Sequence, residues 1–472
     1  MRRMLIKEVF AKSPLGETLK VAGWLRSVRK SKGFSFMVLN DGSCQETLQI
    51  IANESDLENY DIVSNLLVGS CVEFVGTIIE SQGKGQSIEM QASGAVIHGK
   101  TGQEYPLQKK ATSLEFLREQ SHLRPRTNLF GAVFRVRHAL AMATHKFFSD
   151  KGFYYLNSPI LTAVDAEGAG EMFNVTTLDL KNVPKDEKGE VDFSRDYFGK
   201  PTHLCVTGQL ESECFAMGLG AVYTFGPTFR AENSNTPRHL SEFWMIEPEV
   251  AFMDLEGNAE LAAEYLKYMI SYAFENNSKE LEALQKYHQF SSKQNKEPYE
   301  NHLDLLKSVL DKEVEKISYT EAIKILSQSN KSFEYRPEWG VELQTEHEKY
   351  LSEEYFKGPV TVTDYPKDCK AFYMKQNDDG KTVRAMDLLV PGVGEIIGGS
   401  QREEDLDKLT KRMDEMNVPQ APLWWYLDLR RFGTAYHSGF GLGFERALRY
   451  VTGMKNIRDV IPFARTPKNC DF

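Results

Sequence analysis

The stretch FRAENSNTPRHLSEFWMIEPE, from Phe229 to Glu249, combines an Arg–x–Glu pair, a polar loop and a segment rich in aromatic and acidic residues. The residues before it, AVYTFGPTF, alternate like a strand, which predicts that Arg230 and Glu232 share one face. NSNTPR then supplies turn formers, and HLSEFWMIEPE can return antiparallel. Such a hairpin could offer a cation to a phosphate, a carboxylate to an amine and an aromatic face to a base. The alternative is an exposed Arg–Glu pair, which would contribute little.

Two later segments carry residues of the same chemical kind. AMDLLVPGVGEIIGGSQRE places Asp387 and Glu395 on either side of a Pro-Gly-Val-Gly turn, and its apolar runs predict buried strands rather than a solvated hairpin. Two facing carboxylates near phosphates suit Mg²⁺, which commonly uses one or two carboxylates plus phosphate oxygens. GFGLGFERALRY places Arg446 just inside a helix after a Gly-rich strand, with a glycine spacing that differs from the dinucleotide fingerprint GxGxxG.

The N-terminal hundred residues show five short strand patterns, with a helix-compatible segment, DLENYDIVSNLL, between the third and the fourth. This order predicts an OB-fold barrel, an architecture that frequently binds oligonucleotides. We therefore expect a domain over residues 1–100, a basic hinge over 101–130 and a larger domain over 131–472. A charged, Gly/Pro-punctuated surface insert is expected in that domain near residues 175–203.

Composition narrows the class of protein. The chain has 472 residues, of which 41% are hydrophobic and 26% charged, as in an ordinary soluble protein of several domains. Its net charge of −10 argues against a surface coated with basic residues, although local basic patches remain compatible. The six cysteines form no CxxC pair and no zinc spacing, which predicts reduced thiols in the cytoplasm. No segment reaches membrane length, and the N-terminal apolar run is too short for a signal peptide.

One motif is a decoy. GAVIHGKT, over residues 94–101, matches the phosphate-loop pattern GxxxxGK[ST]. A phosphate loop needs a flexible turn between a strand and a helix, whereas Ala-Val-Ile-His favours a strand and TGQEYP follows in place of a helix. We therefore predict a chance match with no nucleotide there.

Taken in order, Pro159 at the entry to a strand, the FRAE hairpin and GLGFER resemble the three signature motifs of class II aminoacyl-tRNA synthetases. The OB-like domain, the hinge sequence LREQSHLRPRT and SQRE are similar to the aspartate, asparagine and lysine group. Within that group, VTGQLESE, VTDYPKDCKAFYM and NIRDVIPFARTP resemble the asparaginyl enzymes, whereas aspartyl enzymes typically carry SPQ in place of TGQ. The resemblance covers nearly the whole chain. It implies an α+β fold: an OB-fold barrel followed by a catalytic domain with an antiparallel sheet flanked by helices.

The activity that this resemblance implies is ATP-dependent conversion of L-asparagine to asparaginyl-adenylate, followed by transfer to tRNA(Asn). Because such phosphoryl chemistry depends mainly on positioning and charge stabilisation, no protein nucleophile is needed. The resemblance also implies a cytoplasmic homodimer built around Pro159, with Mg²⁺ and without membrane association. The alternatives are an aspartyl-tRNA synthetase of relaxed specificity, an asparagine synthetase paralogue, which would lack the N-terminal domain, and a non-catalytic RNA-binding paralogue.

For the nucleotide, the resemblance implies that Arg230 contacts the α-phosphate and Arg446 the γ-phosphate, both as catalytic residues. Arginine suits these positions because its planar fork matches phosphate geometry. The metal ligands would be Asp387 and Glu395. The implied ATP site consists of Arg230, Glu232, His239, Phe243, Glu395 and Arg446.

For the amino acid, the resemblance implies that Glu167 and Gln209 bind the α-amino group and that Arg402 reaches the side-chain oxygen. Asparagine offers a carbonyl oxygen and an NH₂ group, whereas aspartate offers two anionic oxygens. A helix that starts by Gln209 would place Glu213 on the same face, where it could accept from the NH₂ and repel aspartate. Glu211 lies off that face and is expected in solvent.

In the predicted barrel, Arg29, Phe36 and Gln49 match the anticodon-reading positions of the resembled family. An aromatic side chain stacks on an unpaired base while polar side chains read its edges, the usual mode for single-stranded RNA. For Phe36 a core position is a substantial alternative, because Phe34, Phe36 and Val38 share one face.

Overall fold

The computed structural model describes residues 2–83, 85–108, 112–164, 172–234 and 236–472. The chain divides into two compact units, Met1–Arg135 and Val136–Phe472. No helix among the described residues is both long enough and apolar enough to cross a membrane.

The strands of the first unit form a closed barrel in the order β1–β2–β3–β5–β4. Burial alternates along much of β1, β2 and β3 with the side-chain period of two, and most of the buried side chains are apolar and form the barrel core. This confirms the predicted OB-fold, including the helix between the third and fourth strands. The elements are α1 (Ile6–Lys12), β1 (Thr18–Ser31), β2 (Phe34–Asn40), β3 (Leu48–Asn53), α2 (Tyr60–Val63), β4 (Cys71–Glu80), β5 (Ile88–Gly99) and α3 (Leu114–Glu119).

The phosphate-loop decoy lies at the end of β5, and its residues 94–99 are strand. Residues 100–108 contain no helix, so the context that a phosphate loop needs is missing from this described stretch. The predicted hinge contains α3, whose N-cap Ser113 accepts a hydrogen bond from the backbone of Phe116.

A long helix and a large sheet dominate the remaining chain. Its elements are α4 (Asn128–Asp150), β6 (Tyr154–Leu156), β7 (Leu161–Thr162), β8 (His203–Leu204), α5 (Gln209–Leu219), β9 (Ala221–Phe229), β10 (Glu242–Ala251), α6 (Leu255–Asn276), α7 (Ser278–Asn295), α8 (His302–Asp311), β11 (Glu315–Ser318), α9 (Tyr319–Ser327), α10 (Thr345–Lys349), β12 (Val360–Pro366), β13 (Thr382–Val390), β14 (Gly394–Gln401), α11 (Leu406–Glu415), α12 (Trp424–Arg431), β15 (His437–Gly443) and α13 (Phe444–Thr452).

The sheet has eight strands in the order β11–β12–β13–β14–β15–β10–β9–β6. Its inner pairs are antiparallel, and the outermost pairs, β11 with β12 and β6 with β9, are parallel. α6 packs against β13, β14 and β15, while α5 packs against β9 and β10. The predicted antiparallel sheet flanked by helices is therefore confirmed.

Two hairpins of this sheet were predicted, and one detail of the first differs. β9 and β10 pair as expected, with Phe243 opposite Thr228. However, β9 ends at Phe229, so Arg230 and Glu232 lie in the loop and not on a strand face. The loop starts there because the Arg230 amide donates to the Ser241 carbonyl and closes the ladder. The second hairpin joins β13 and β14 around the predicted turn.

Candidate active site

A cavity of about 380 Å³ lies against the central strands β10, β14 and β15. Side chains from both hairpins, from α5 and from α13 line it, because these elements meet at one part of the sheet. The cavity brings together nine of the predicted residues: Gln209, Arg230, Glu232, His239, Phe243, Asp387, Glu395, Arg402 and Arg446.

A cation and a flat ring lie side by side on the first hairpin. The guanidinium carbon of Arg230 is 5.4 Å from the centroid of the Phe243 ring. Such a contact holds an arginine in a fixed direction, and its planar guanidinium matches the geometry of a phosphate. The pair can therefore present a positive charge and a stacking surface to the same ligand.

His239 is fixed within the loop of that hairpin. Its Nδ1 lies 3.0 Å from the Ser234 hydroxyl and 2.6 Å from the Thr236 hydroxyl. Its neighbour Arg238 also lines the cavity and donates to the Thr345 hydroxyl at 3.0 Å. The loop thus contributes two more polar groups beside Arg230, and Arg238 was not predicted from the sequence.

The carboxylates of the two predicted metal ligands, Asp387 and Glu395, both lie close to Gly398. A Cβ added at Gly398 would lie 3.1 Å from Oε1 of Glu395 and 3.3 Å from Oδ1 of Asp387. Among the residues that the structure describes, no group of three or more His, Cys, Asp or Glu side chains could hold a metal ion. A Mg²⁺ ion at this position would therefore need phosphate oxygens as well, which matches its usual coordination. The donor set fits that ion.

Each of these two carboxylates lies close to a positively charged side chain. The Lys370 ammonium lies 2.9 Å from Oδ2 of Asp387, and Nη1 of Arg446 lies 3.6 Å from Oε2 of Glu395. Burial alone would lower the pKa of Lys370, but Asp387 and Glu395 outweigh that effect and raise this pKa. A third carboxylate, Glu348, accepts from the Glu395 amide at 3.1 Å, and burial raises the pKa of Glu348 to about 7.

At the other end of the cavity, two buried carboxylates of β10 are held by hydrogen bonds. Glu247 accepts from the Gly208 amide at 2.9 Å and from the hydroxyls of Thr207 and Thr224. Glu249 pairs with Arg402 through two N–H groups of the guanidinium. Burial raises the pKa of Glu249 above its usual range, and Arg402 opposes that rise.

Glu213 lies behind this end of the cavity. The predicted shared face of Gln209 and Glu213 on α5 is confirmed, because Nε2 of Gln209 donates to Oε1 of Glu213 at 3.1 Å. Tyr426, Arg430 and His437 also bind the Glu213 carboxylate, at 2.8–3.0 Å. The side chain exposes no surface. The substrate contact predicted for Glu213 would therefore require one of these donors to withdraw.

The charges around Glu213 decide its ionisation. Burial alone would raise the pKa of Glu213, but Arg430, His437 and Arg402 outweigh burial and hold this pKa well below its usual range. Glu213 is therefore a buried anion surrounded by donors.

Comparison with known proteins identifies the family. A model of class II tRNA synthetases (D, K and N) matches residues 113–467, and a model of the OB-fold nucleic acid binding domain matches residues 19–97. The asparagine–tRNA ligases of Porphyromonas gingivalis W83 and Acetivibrio thermocellus are 53% and 54% identical, over 100% of this chain and 99% and 100% of theirs.

The chain belongs to the asparagine–tRNA ligase family. Among solved structures, asparaginyl-tRNA synthetase from Pyrococcus horikoshii complexed with asparaginyl-adenylate is 31% identical, with a TM-score of 0.86. The match covers 100% of this chain and 99% of that one. Aspartyl-tRNA synthetase from Entamoeba histolytica, at 20% identity and a TM-score of 0.77, shares the fold.

In this member of the asparagine–tRNA ligase family, the OB-fold barrel resolves an ambiguity about Phe36. Its strand neighbours Met37 and Leu39 are fully buried in the barrel, whereas Phe36 lies on the outer face and is partly exposed. The core alternative for Phe36 is therefore wrong. Arg29 lies directly opposite Phe36.

The third barrel residue predicted to read the anticodon, Gln49, lies opposite Val38 on the neighbouring strand. Its Nε2 donates to Oε2 of Glu89 at 2.8 Å. This hydrogen bond fixes the direction of the Gln49 amide beside the outer face.

The last two predicted residues, Glu167 and Pro159, lie in the segment that follows α4. Glu167 lies outside the described residues. Pro159 is exposed between β6 and β7, and four large apolar side chains around it are also 42–58% exposed: Tyr154, Tyr155, Ile160 and Leu161.

The sequence did not single out several residues of the site. Lys370 stands in the quoted segment VTDYPKDCKAFYM, so a search of that segment for cations could have found it. No local sequence pattern indicated that Tyr426, Arg430 and His437 belong to the site. Glu211 was expected in solvent but is half-buried, and burial raises its pKa.

Proposed function

We propose that this chain, an aminoacyl-tRNA synthetase by family, activates L-asparagine with ATP and Mg²⁺ and transfers it to tRNA(Asn) as a cytoplasmic homodimer. The observation that carries the proposal is one cavity with two chemically different ends. One end holds the cations and the ring that suit a nucleotide, and the other holds buried carboxylates and Arg402, which suit a small zwitterion. The Pyrococcus relative, whose structure contains asparaginyl-adenylate, supports a ligand that spans both ends.

In the first step, an oxygen of the asparagine carboxylate attacks the α-phosphorus and pyrophosphate leaves. Negative charge grows on the α-phosphate oxygens, where Arg230 donates. Phe243 stacks on the adenine, and Glu232 accepts from its amino group. Arg446 binds the γ-phosphate. A bound Mg²⁺, held by Asp387 and Glu395, would neutralise phosphate charge.

In the second step, the terminal ribose hydroxyl of the tRNA attacks the carbonyl carbon of the adenylate, and AMP leaves. This step needs no protein nucleophile, because the adenylate is already an activated acyl group. The contribution of the chain is to hold the adenylate rigidly, and the hydrogen-bonded carboxylates of β10 support that rigidity.

Selection of asparagine depends on donors and acceptors at the second end. Arg402 donates to the side-chain oxygen, and Gln209 and Glu167 bind the α-amino group. Because every Glu213 oxygen already accepts hydrogen bonds, we assign Glu213 a positioning role: it holds Gln209 and lies 4.0 Å from the Arg402 Nε. Its fixed negative charge also disfavours the second anionic oxygen of aspartate.

The outer face of the barrel is the proposed anticodon site. Phe36 supplies a partly exposed ring, Arg29 lies opposite it, and Gln49 lies on the next strand. For assembly, the exposed apolar side chains around Pro159 support burial against a second copy of the chain, since C2 dimers are the commonest soluble oligomers. All six cysteines are free thiols, which supports a reducing compartment.

The test is ATP–pyrophosphate exchange with asparagine and with aspartate, followed by charging of tRNA(Asn). We expect exchange that depends on asparagine and strongly prefers it. Equal exchange with both amino acids would favour the relaxed aspartyl enzyme, and absence of exchange would favour the non-catalytic paralogue. Sedimentation of the active enzyme as a monomer would contradict the homodimer.

A further inference from the structure

We infer that Lys370 is a resident counter-ion of Asp387, which keeps the carboxylate pair from binding a divalent cation until a nucleotide is present. The inference rests on the proposed function, because it concerns the same ATP and Mg²⁺ site. Lys370, to which the sequence motifs gave no role, would position Asp387 and determine the order in which nucleotide and metal bind.

Lys370 is held from two sides. Its ammonium lies 2.9 Å from Oδ2 of Asp387 and 3.9 Å from the centroid of the Tyr365 ring. Tyr365 is buried in β12, so the ring is a fixed platform. Lys370 and Asp387 expose only 19% and 14% of their side chains, so water screens the pair weakly. The ammonium is therefore well placed to compete with an incoming metal ion.

The competition extends to both carboxylates. Lys370 neutralises Asp387, and Arg446, at 3.6 Å, partly neutralises Glu395. A divalent ion that arrives alone must displace or tolerate these positive charges at short range, which costs electrostatic energy. A nucleotide changes the balance, because its phosphate oxygens attract the same cations and leave the carboxylates to the metal. Metal and nucleotide should therefore bind together.

Once displaced from Asp387, the ammonium of Lys370 needs another anionic oxygen. The cavity that it lines would offer such oxygens on the nucleotide phosphates or on the amino-acid carboxylate. The two sources differ experimentally. Loss of Lys370 should weaken pyrophosphate binding if the phosphates are the partner, and asparagine binding if the carboxylate is the partner.

The experiment measures Mn²⁺ binding by electron paramagnetic resonance, with and without a non-hydrolysable ATP analogue. The variants are Lys370→Gln, which removes the charge, and Lys370→Arg, which keeps it. Lys375→Gln is the matched control, because Lys375 also pairs with a carboxylate, that of Glu404, but does not line the cavity.

Without nucleotide, we expect Lys370→Gln to bind Mn²⁺ at least roughly tenfold more tightly than wild type, and the other two variants to resemble wild type. Unchanged Mn²⁺ affinity in folded Lys370→Gln would overturn the inference. If that variant does not fold, the wild-type titration decides. An affinity that the analogue raises by roughly tenfold supports the inference, and equal affinity with and without the analogue overturns it.

The proposed function is tested separately. Asparagine-dependent pyrophosphate exchange by the wild type, together with unchanged metal affinity in Lys370→Gln, would reject the counter-ion role alone. Absence of exchange would instead reject the proposed function.

Discussion

Arg430 donates a hydrogen bond to Glu213 across 2.9 Å, and neither side chain exposes any surface. The two residues stand 217 positions apart, on α12 and α5. Moving both charges of such a pair out of water costs free energy. Loss of one partner nevertheless destabilises the protein severely, because the other charge is left uncompensated. The wall of the amino-acid end therefore depends on a helix that does not itself line the cavity.

Arg430→Met should destabilise the protein by about 3–5 kcal/mol, since it leaves the buried Glu213 anion short of a partner. Chemical denaturation measures the loss. The matched control is Arg431→Met, because Arg431 pairs with Asp428 on the surface and exposes 43% of its side chain. That change should cost at most about 1 kcal/mol. Equal losses in the two variants would contradict a structural role for the buried pair.

Glu213→Gln keeps the side-chain volume and removes the charge. We expect asparagine-dependent exchange to fall about tenfold or more in kcat/KM, with weaker rejection of aspartate, because Gln209 and Arg402 lose the anion that orders them. Glu211→Gln, two residues away and not among the hydrogen-bond partners of Glu213, is the control and should retain the preference for asparagine. An unchanged preference in folded Glu213→Gln would show that the charge of Glu213 does not determine selection.

Gln209 and Glu213 also show what the sequence could predict. The shared helix face of Gln209 and Glu213 follows from helix spacing alone, and the hydrogen bond between them confirms it. The donors Tyr426, Arg430 and His437 come from distant segments, so no spacing rule could bring them to Glu213. For the same reason, the sequence did not predict the contact between Lys370 and Asp387. Local periodicity predicted the barrel and both hairpins, because strand patterns and turn residues are local signals.

Arg230→Ala should lower kcat for pyrophosphate exchange by about 10²–10³-fold and change the KM for ATP less, because Arg230 acts where charge develops. Steady-state exchange kinetics separate the two parameters. Arg195→Ala, at an exposed position between β7 and β8, should leave both unchanged. Near-normal kcat in folded Arg230→Ala would mean that another cation, such as Arg238, stabilises the transition state.

Phe36→Ala should separate the two reaction steps. Exchange with ATP and asparagine should stay close to wild type, whereas charging of tRNA(Asn) should weaken by about 1–3 kcal/mol, the contribution of one base–aromatic stack. Met37→Ala is the control on the inner face of the same strand, and it should instead reduce barrel stability by about 2–5 kcal/mol, because Met37 is fully buried. Normal charging by Phe36→Ala would reject the proposed anticodon face.

The last prediction concerns acid stability and His302, the first residue of α8. Its Nε2 lies 2.6 Å from the carbonyl oxygen of Tyr450, near the C-terminal end of α13, the helix that carries Arg446. Burial lowers the pKa of His302 from 6.5 to about 4. Between those values the unfolded chain binds the proton and the folded chain does not, so stability falls as pH drops.

From pH 7.5 to pH 5, His302 should account for a loss of about 2 kcal/mol in the free energy of unfolding. His302→Gln cannot be protonated but can still donate to Tyr450. Urea denaturation of both proteins at the two pH values isolates the effect, because all other groups titrate alike. The variant should lose less stability than wild type on acidification. Parallel losses in the two proteins would show that His302 is protonated in the folded state as easily as in the unfolded chain.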